Sequence, residues 1–289
     1  MNSILFQGVC TALVTPFIGE QINYPLAELL VKRQIDAGVS AVVLAGTTGE
    51  SPTLEDEEKL ELFARCKHYA GEDCKIICGT GSNNTSHAAA FSQAAQEAGA
   101  DALLVVSPYY NKATPEGLIA HYMTIAHCVN IPLIIYNVPG RTGQDVPVSV
   151  YKRLSYIPNI AGVKEAGNDV AKVARTLREV RPGFCVWSGS DELAVAEIAL
   201  GAQGVISVLS NVFPRETVAM VNAALDGDFD TAADFQQRLQ PMMDALFSEV
   251  NPIPVKAAMA LAGFDCGSCR LPLTPASPET IEKLKTMIP

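Results

Sequence analysis

Residues 102–108 read ALLVVSP, an unbroken apolar run closed by Ser107 and Pro108. A strand with one face in water alternates apolar and polar side chains. A continuous run therefore means burial on both faces, the condition of a parallel strand covered by helices. The pattern recurs on both sides as VCTALVTPF (9–17), AVVLAG (41–46), KIICGTG (75–81), PLIIYNVP (132–139), IAGVKEA (160–166), FCVWSGS (184–190) and GVISVLS (204–210). Spacings of roughly 20–35 residues are those of a βα unit. Eight units within about 220 residues predict a closed α/β fold, the (β/α)8 TIM barrel, rather than an open sheet. The dinucleotide fingerprint GxGxxG follows none of the eight runs.

The intervening segments read as helices. In TLEDEEKLELFARCKHYA (53–70), Thr53 is placed to act as N-cap, with acidic residues in the first turn and basic ones near the end. Pro115 suits the first turn of another helix. From residue 227 the strand pattern stops, and FDTAADFQQRLQPMMDALFSEV, IPVKAAMALAGF and SPETIEKLKTMI read as helices. The expected division is a catalytic barrel, residues 1–226, and a three-helix C-terminal appendage, residues 227–289.

The 289 residues are 48% apolar and 18% charged, enough to bury a large core. A net charge of −10 and a pI near 4.9 offer no basic surface to a polyanion, which argues against nucleic acid as a partner. MNSILFQGVC lacks a basic n-region and a long apolar h-region, and no segment approaches about 18 uninterrupted apolar residues. A cytoplasmic protein without membrane association is expected. Most of the 8 cysteines fall in apolar runs and read as buried thiols. Cys266 and Cys269 have redox or metal spacing but lack a second CxxC or a nearby His, so no metal site and no cofactor is expected.

In a barrel of this kind the active site lies where the strands end. The polar residues there are Thr47 and Thr48 after the second strand, Tyr109 and Tyr110 after the fourth, Tyr136 and Arg141 around the fifth, Lys164 in the sixth, and Ser188 and Gly189 at the seventh. A lysine within such a strand either points inward or snorkels outward. Adjacent strand residues face opposite ways, so Glu165 is poorly placed to neutralise Lys164. Without a counter-ion, desolvation favours the neutral amine, a nucleophile towards ketones; a structural lysine is the other reading. Imine formation needs proton transfers, and the Tyr136 phenol can shuttle protons if Thr47 and Tyr110 relay them. The alternative for Tyr136 is plain packing. His68, His87, His121 and His127 all fall in helical or helix-start segments, which argues against imidazole catalysis.

GTTGES (46–51) offers backbone N–H groups and hydroxyls suited to a carboxylate, or is only a helix-start turn. GTGSNNTS (79–86) is an anion loop or a turn with an N-cap. Arg141, in the Gly-rich VPGRTG, is able to hold a carboxylate bidentately or is a surface arginine.

GTTGES, SPYYN, YNVPGRTG, GVKEA, SGSD and GVISV, in this order along essentially the whole chain, resemble the dihydrodipicolinate (4-hydroxy-tetrahydrodipicolinate) synthase family. That family lies within the pyruvate-dependent class I aldolases that include N-acetylneuraminate lyase. The resemblance implies that Lys164 forms an imine with pyruvate. It also implies that Thr47, Tyr136 and Tyr110 form a proton relay, Tyr110 being donated across a subunit interface. Thr48 would bind the pyruvate carboxylate, Gly189 and Ile206 would line the pocket, and Arg141 would hold L-aspartate 4-semialdehyde. A homotetramer, built as a dimer of tight dimers and acting in diaminopimelate and lysine biosynthesis, is the implied assembly and role.

Some relatives carry a lysine-inhibition cleft with a His after GTTGES and a Glu after the third strand. Here Lys59 and His87 stand at those positions, which predicts weak or absent inhibition, although Ser51, Asn83 and Tyr109 match the cleft. The alternatives are a sugar-acid aldolase of the same superfamily, against which Arg141 argues, and a catalytically silent pyruvate-binding protein.

Overall fold

The computed structural model describes residues 4–288; Met1, Asn2 and Ser3 of the N-terminal stretch, and Pro289, lie outside the described residues. In chain order the strands are β1 (Gly8–Ala12), β2 (Phe17–Ile18), β3 (Gln21–Ile22), β4 (Ala41–Leu44), β5 (Lys75–Gly79), β6 (Ala102–Val106), β7 (Leu133–Asn137), β8 (Ile160–Glu165), β9 (Cys185–Ser188) and β10 (Gly204–Ser207). The helices are α1 (Tyr24–Asp36), α2 (Asp56–Ala70), α3 (Thr85–Glu97), α4 (Pro115–His127), α5 (Pro139–Thr142), α6 (Val148–Leu154), α7 (Val170–Glu179), α8 (Ala194–Ala199), α9 (Pro214–Leu225), α10 (Phe229–Leu246), α11 (Ile253–Leu261) and α12 (Pro278–Lys285).

All eight expected runs form the barrel: β1 pairs with β4, successive strands pair through to β10, and β10 returns to β1, every ladder parallel. The first run is shorter than its apolar character suggested. Strand pairing stops at Ala12, and Phe17 belongs instead to an antiparallel two-stranded ribbon formed by β2 and β3. Two apolar layers follow from strand alternation. Cys10, Val43, Leu104, Ile134 and Trp187 fill the interior, while Leu103, Val105, Ile135, Val163 and Val186 pack outward under the helices.

The ladder between β7 and β8 is irregular. Leu133 faces Ile160, but Ile134 faces Gly162, so Ala161 is an extra residue that reverses the alternation. Beyond it the partners are Tyr136 with Lys164 and Asn137 with Glu165.

Local caps explain the helix starts. Thr114 accepts from Gly117 N ahead of Pro115, as the proline position predicted. Asn84 accepts from Ser86 N and His87 N, which makes GTGSNNTS a turn with an N-cap. Thr53 is not the cap of α2; it ends a short 3-10 turn, its hydroxyl bonded to Glu50 O. Glu55 takes the capping position, with its N–H donated to Glu58 Oε2 at 3.0 Å. After the barrel, α10 packs on α8 and α9, and α11 lies against α10 and α12. No helix among the described residues is long and apolar enough to cross a membrane. All eight cysteines are free thiols, six of them buried.

Candidate active site

Positive φ angles at residues other than glycine gather in loops that follow barrel strands: Ala45 and Glu50 after β4, Tyr110 and Lys112 after β6. Held strain of this kind marks a site whose surroundings over-determine the backbone. Beside these loops opens a cavity of about 370 Å³, lined among others by Thr47, Ser51, Lys59, His87, Tyr109, Tyr136 and Arg141. Thr47, Tyr136 and Arg141 thus border one space with the cleft residues Ser51, Lys59, His87 and Tyr109, whereas Lys164, Thr48, Tyr110, Asn83, Gly189 and Ile206 are not on its wall. His68 and His127 fall on α2 and α4, away from the strand ends, and His121 is buried on α4.

Lys164 sits near the C-terminal end of β8, 6% exposed, with Nζ 4.3 Å from the Tyr136 ring centroid. Among the described residues no carboxylate lies within ion-pair distance of it. Its neighbour Glu165 points to the opposite face, as alternation requires. There its carboxylate accepts from Asn137 Nδ2 at 2.6 Å, Gly167 N at 2.9 Å and Tyr151 OH at 3.1 Å, with Lys172 Nζ at 3.2 Å. Tyr136 is buried in the barrel interior, in the same apolar cluster as Ile206. Gly189 donates its N–H to Glu165 O at 2.6 Å, and a side chain there would meet Ala166 Cβ at 2.6 Å, so glycine is required by close approach.

The GTTGES loop does not run straight into α2. It turns through Glu50, left-handed at φ 58°, into the 3-10 turn Ser51–Thr53. Three residues that sequence reasoning missed pin it from the C-terminal segment. Asn251 Nδ2 donates to Thr48 Oγ1 at 3.0 Å, Lys256 Nζ lies 2.7 Å from Glu50 Oε1, and Arg270 N donates to Glu50 Oε2 at 2.8 Å. Nothing in the local pattern signals them, because their partners lie some two hundred residues upstream.

Arg141 lies in a helical turn, not in an irregular Gly-rich loop. VPGRT forms one helical turn, α5, with Arg141 exposed at the cavity wall and Nη2 bonded to Asn251 O at 3.2 Å. Its remaining donors are available to an anion. Tyr110 is 92% exposed and does not line the cavity of its own chain.

In the cleft, Lys59 and His87 do not stand as free cations. Asp56 lies between them, 3.2 Å from Lys59 Nζ and 2.7 Å from His87 Nε2. Partial burial raises the Asp56 pKa, but these two partners outweigh it and hold the carboxyl below its ordinary value. Asn83 Nδ2 bonds Tyr109 O at 3.2 Å. Away from the site, burial pushes the thiols of Cys266 and Cys269 up to about 12 and about 11, far from reactive thiolates. Among the described residues no group of three or more His, Cys, Asp or Glu is placed to hold a metal ion.

The model of the dihydrodipicolinate synthetase family matches residues 5–289. The chain belongs to the dihydrodipicolinate synthetase family. Among relatives of that family, a 4-hydroxy-tetrahydrodipicolinate synthase from Kosmotoga olearia is 48% identical, covering 97% of each chain. The crystal structure of dihydrodipicolinate synthase from Aquifex aeolicus superimposes with a TM-score of 0.96 at 42% identity, covering 98% of this chain and 97% of that one. A chloride-inhibited dihydrodipicolinate synthase from Acinetobacter baumannii, solved complexed with pyruvate, gives 0.95 at 40% identity with the same coverage. The fold is thus that of the dihydrodipicolinate synthetase family, and the chain is an enzyme of the aldolase-type lyase class to which it belongs.

Proposed function

We propose that the chain condenses pyruvate with L-aspartate 4-semialdehyde through an imine on Lys164, as a 4-hydroxy-tetrahydrodipicolinate synthase. The observation that carries this reading is Lys164 itself: 6% exposed, with no carboxylate among the described residues within ion-pair distance, 4.3 Å from the Tyr136 ring at the end of a barrel strand. An amine so placed has no ion pair to break before it attacks a ketone.

The amine adds to C2 of pyruvate, and the carbinolamine loses water to give the iminium. A proton leaves C3, giving the enamine. Tyr136 carries the protons, with Thr47 on the same cavity wall and Tyr110 supplied by a second copy. The 92% exposure of Tyr110 supports that donation; a homotetramer of tight dimers is the proposed assembly. Thr48, oriented by Asn251, binds the pyruvate carboxylate, and Gly189 and Ile206 line the pocket. The enamine carbon then attacks the aldehyde, forming the new C–C bond. Arg141 holds the carboxylate of the acceptor bidentately. The acceptor's amine displaces Lys164 from C2, closing the ring and restoring the free lysine.

We read residues 1–226 as the catalytic barrel and 227–289 as the appendage. The cytoplasm is the proposed location, supported by the free buried thiols. We read Ser51, Lys59, Asn83, His87 and Tyr109 as a cleft in which Lys59 and His87 are already engaged by Asp56. The test of the chemistry is borohydride reduction in the presence of pyruvate, followed by mass analysis of the peptide containing residue 164. A reduced pyruvyl adduct on Lys164 is expected; its absence from the native enzyme overturns the mechanism.

A further inference from the structure

We infer that Asn137 and Glu165 are positioning residues that pin the register of β8 against β7, so that Lys164 rather than Glu165 faces the barrel interior. The inference rests on the imine reading of Lys164.

Strand alternation alone gives the wrong answer here. Ile160 packs in the outer layer. Counting by twos from it sends Gly162 and Lys164 outward and Glu165 inward. The extra residue Ala161 reverses this, because Leu133 faces Ile160 whereas Ile134 faces Gly162. A one-residue slip at such a bulge exchanges the two faces of everything downstream, and the charged pair Lys164 and Glu165 lies three and four residues beyond it.

Two features hold the productive register. On the inner side, a Cβ on Gly162 would run into the Cys185 carbonyl and lie 2.8 Å from Trp187 Cζ3, so the bulge needs glycine there. On the outer side, Asn137 donates from Nδ2 to Glu165 Oε1 at 2.6 Å and accepts from Val146 N at 3.0 Å, with the two residues 0% and 3% exposed. Among the interactions of Glu165, this is the side-chain bond that joins β8 to β7, and it falls one step beyond the Tyr136–Lys164 pair. A buried carboxylate is costly unless its lone pairs are used, and Tyr151, Lys172 and Gly167 complete the set. The slipped strand would lose the bonds to Asn137, Tyr151 and Lys172, which sit on other elements.

The test is the single-turnover rate of borohydride-trappable adduct formation, with kcat and the pyruvate KM measured alongside. Asn137→Ala removes the cross-strand bond and leaves Glu165 its other partners. Trapping and kcat are expected to fall about 10–100-fold, the cost of a misplaced nucleophile, with pyruvate KM held within about twofold. Tyr151→Phe removes a different bond to the same carboxylate and is expected to trap within about twofold of the native rate. Glu165→Gln keeps an acceptor for Asn137 and is expected to stay within about threefold; if Asn137→Ala does not fold, this variant decides. The inference is overturned if Asn137→Ala traps at the native rate, if both Asn137→Ala and Tyr151→Phe slow in step with their melting temperatures, or if Glu165→Gln slows tenfold or more at unchanged KM. No adduct in the native enzyme would instead remove the imine reading on which the inference rests.

Discussion

Lys256 Nζ lies 2.7 Å from Glu50 Oε1, and both side chains are almost wholly shut off from water, at 3% and 1% exposure. The pair joins α11 to the loop that carries Thr47 and Thr48. Lys256 Nζ also stands over the Phe17 ring at 4.2 Å, and Arg270 N binds the other oxygen of Glu50.

Breaking this pair from one side leaves a buried charge alone. Lys256→Met is therefore expected to destabilise the fold by about 3–5 kcal/mol in urea unfolding. The double variant with Glu50→Gln recovers part of that loss, because no uncompensated charge remains. A single variant within about 0.5 kcal/mol of the native protein would refute the buried-charge argument.

Tyr136 and Arg141 should separate kinetically. Tyr136→Phe removes the proton carrier and is expected to lower kcat by about 10²–10⁴-fold with little change in the pyruvate KM. Arg141→Ala should instead raise the KM for L-aspartate 4-semialdehyde by about tenfold or more while leaving adduct formation with pyruvate intact. Steady-state kinetics with each substrate varied in turn reads both, and an Arg141 variant impaired only towards pyruvate would reverse the assignment.

Glu197 gives stability a slope with pH. Burial, aided by the nearby Glu165 charge, pushes its carboxyl from 4.5 up to about 7. The folded state then holds a proton that the unfolded state has lost between those values. Stability from this group is full below about 4.5 and declines as pH rises through about 7, by roughly 3 kcal/mol at most. His121 acts in the opposite sense: burial lowers it from 6.5 to about 4, so its contribution is present above 6.5 and lost as pH falls through about 4. Glu197→Gln should accordingly flatten the decline between pH 5 and pH 7.5, in about the range where its group titrates, leaving the acid-side loss in place. Thermal melts across that range check it, and an unchanged slope counts against the buried acid.

Lysine is expected to inhibit weakly or not at all. Asp56 is shared between Lys59 and His87, so its carboxylate is not left free for an incoming ammonium. An activity assay with sub-millimolar lysine is the check; clear inhibition would show that the cleft accepts the ammonium by another route.

Unbroken apolar runs were enough to predict eight parallel strands, because burial on both faces leaves its mark within each segment. Thr53 was misread as a cap because the 3-10 turn Ser51–Thr53 delays α2 until Glu55 and Glu58 can bond each other. Asp56 escaped notice since only folding brings α2 beside α3 and places its carboxylate next to His87. The hold of Asn251, Lys256 and Arg270 on the GTTGES loop was invisible for the same reason: no periodicity encodes a contact between distant segments.

By itself, then, the sequence determined the barrel and the set of polar groups at its strand ends, since strand character and the order of the strands are local properties of the chain. Which way Lys164 faces was decided only by the tertiary structure. A period of two fixes that Lys164 and Glu165 point apart but not which of them points in. The bulge at Ala161 and the Asn137–Glu165 bond settle it, and both exist only between two strands.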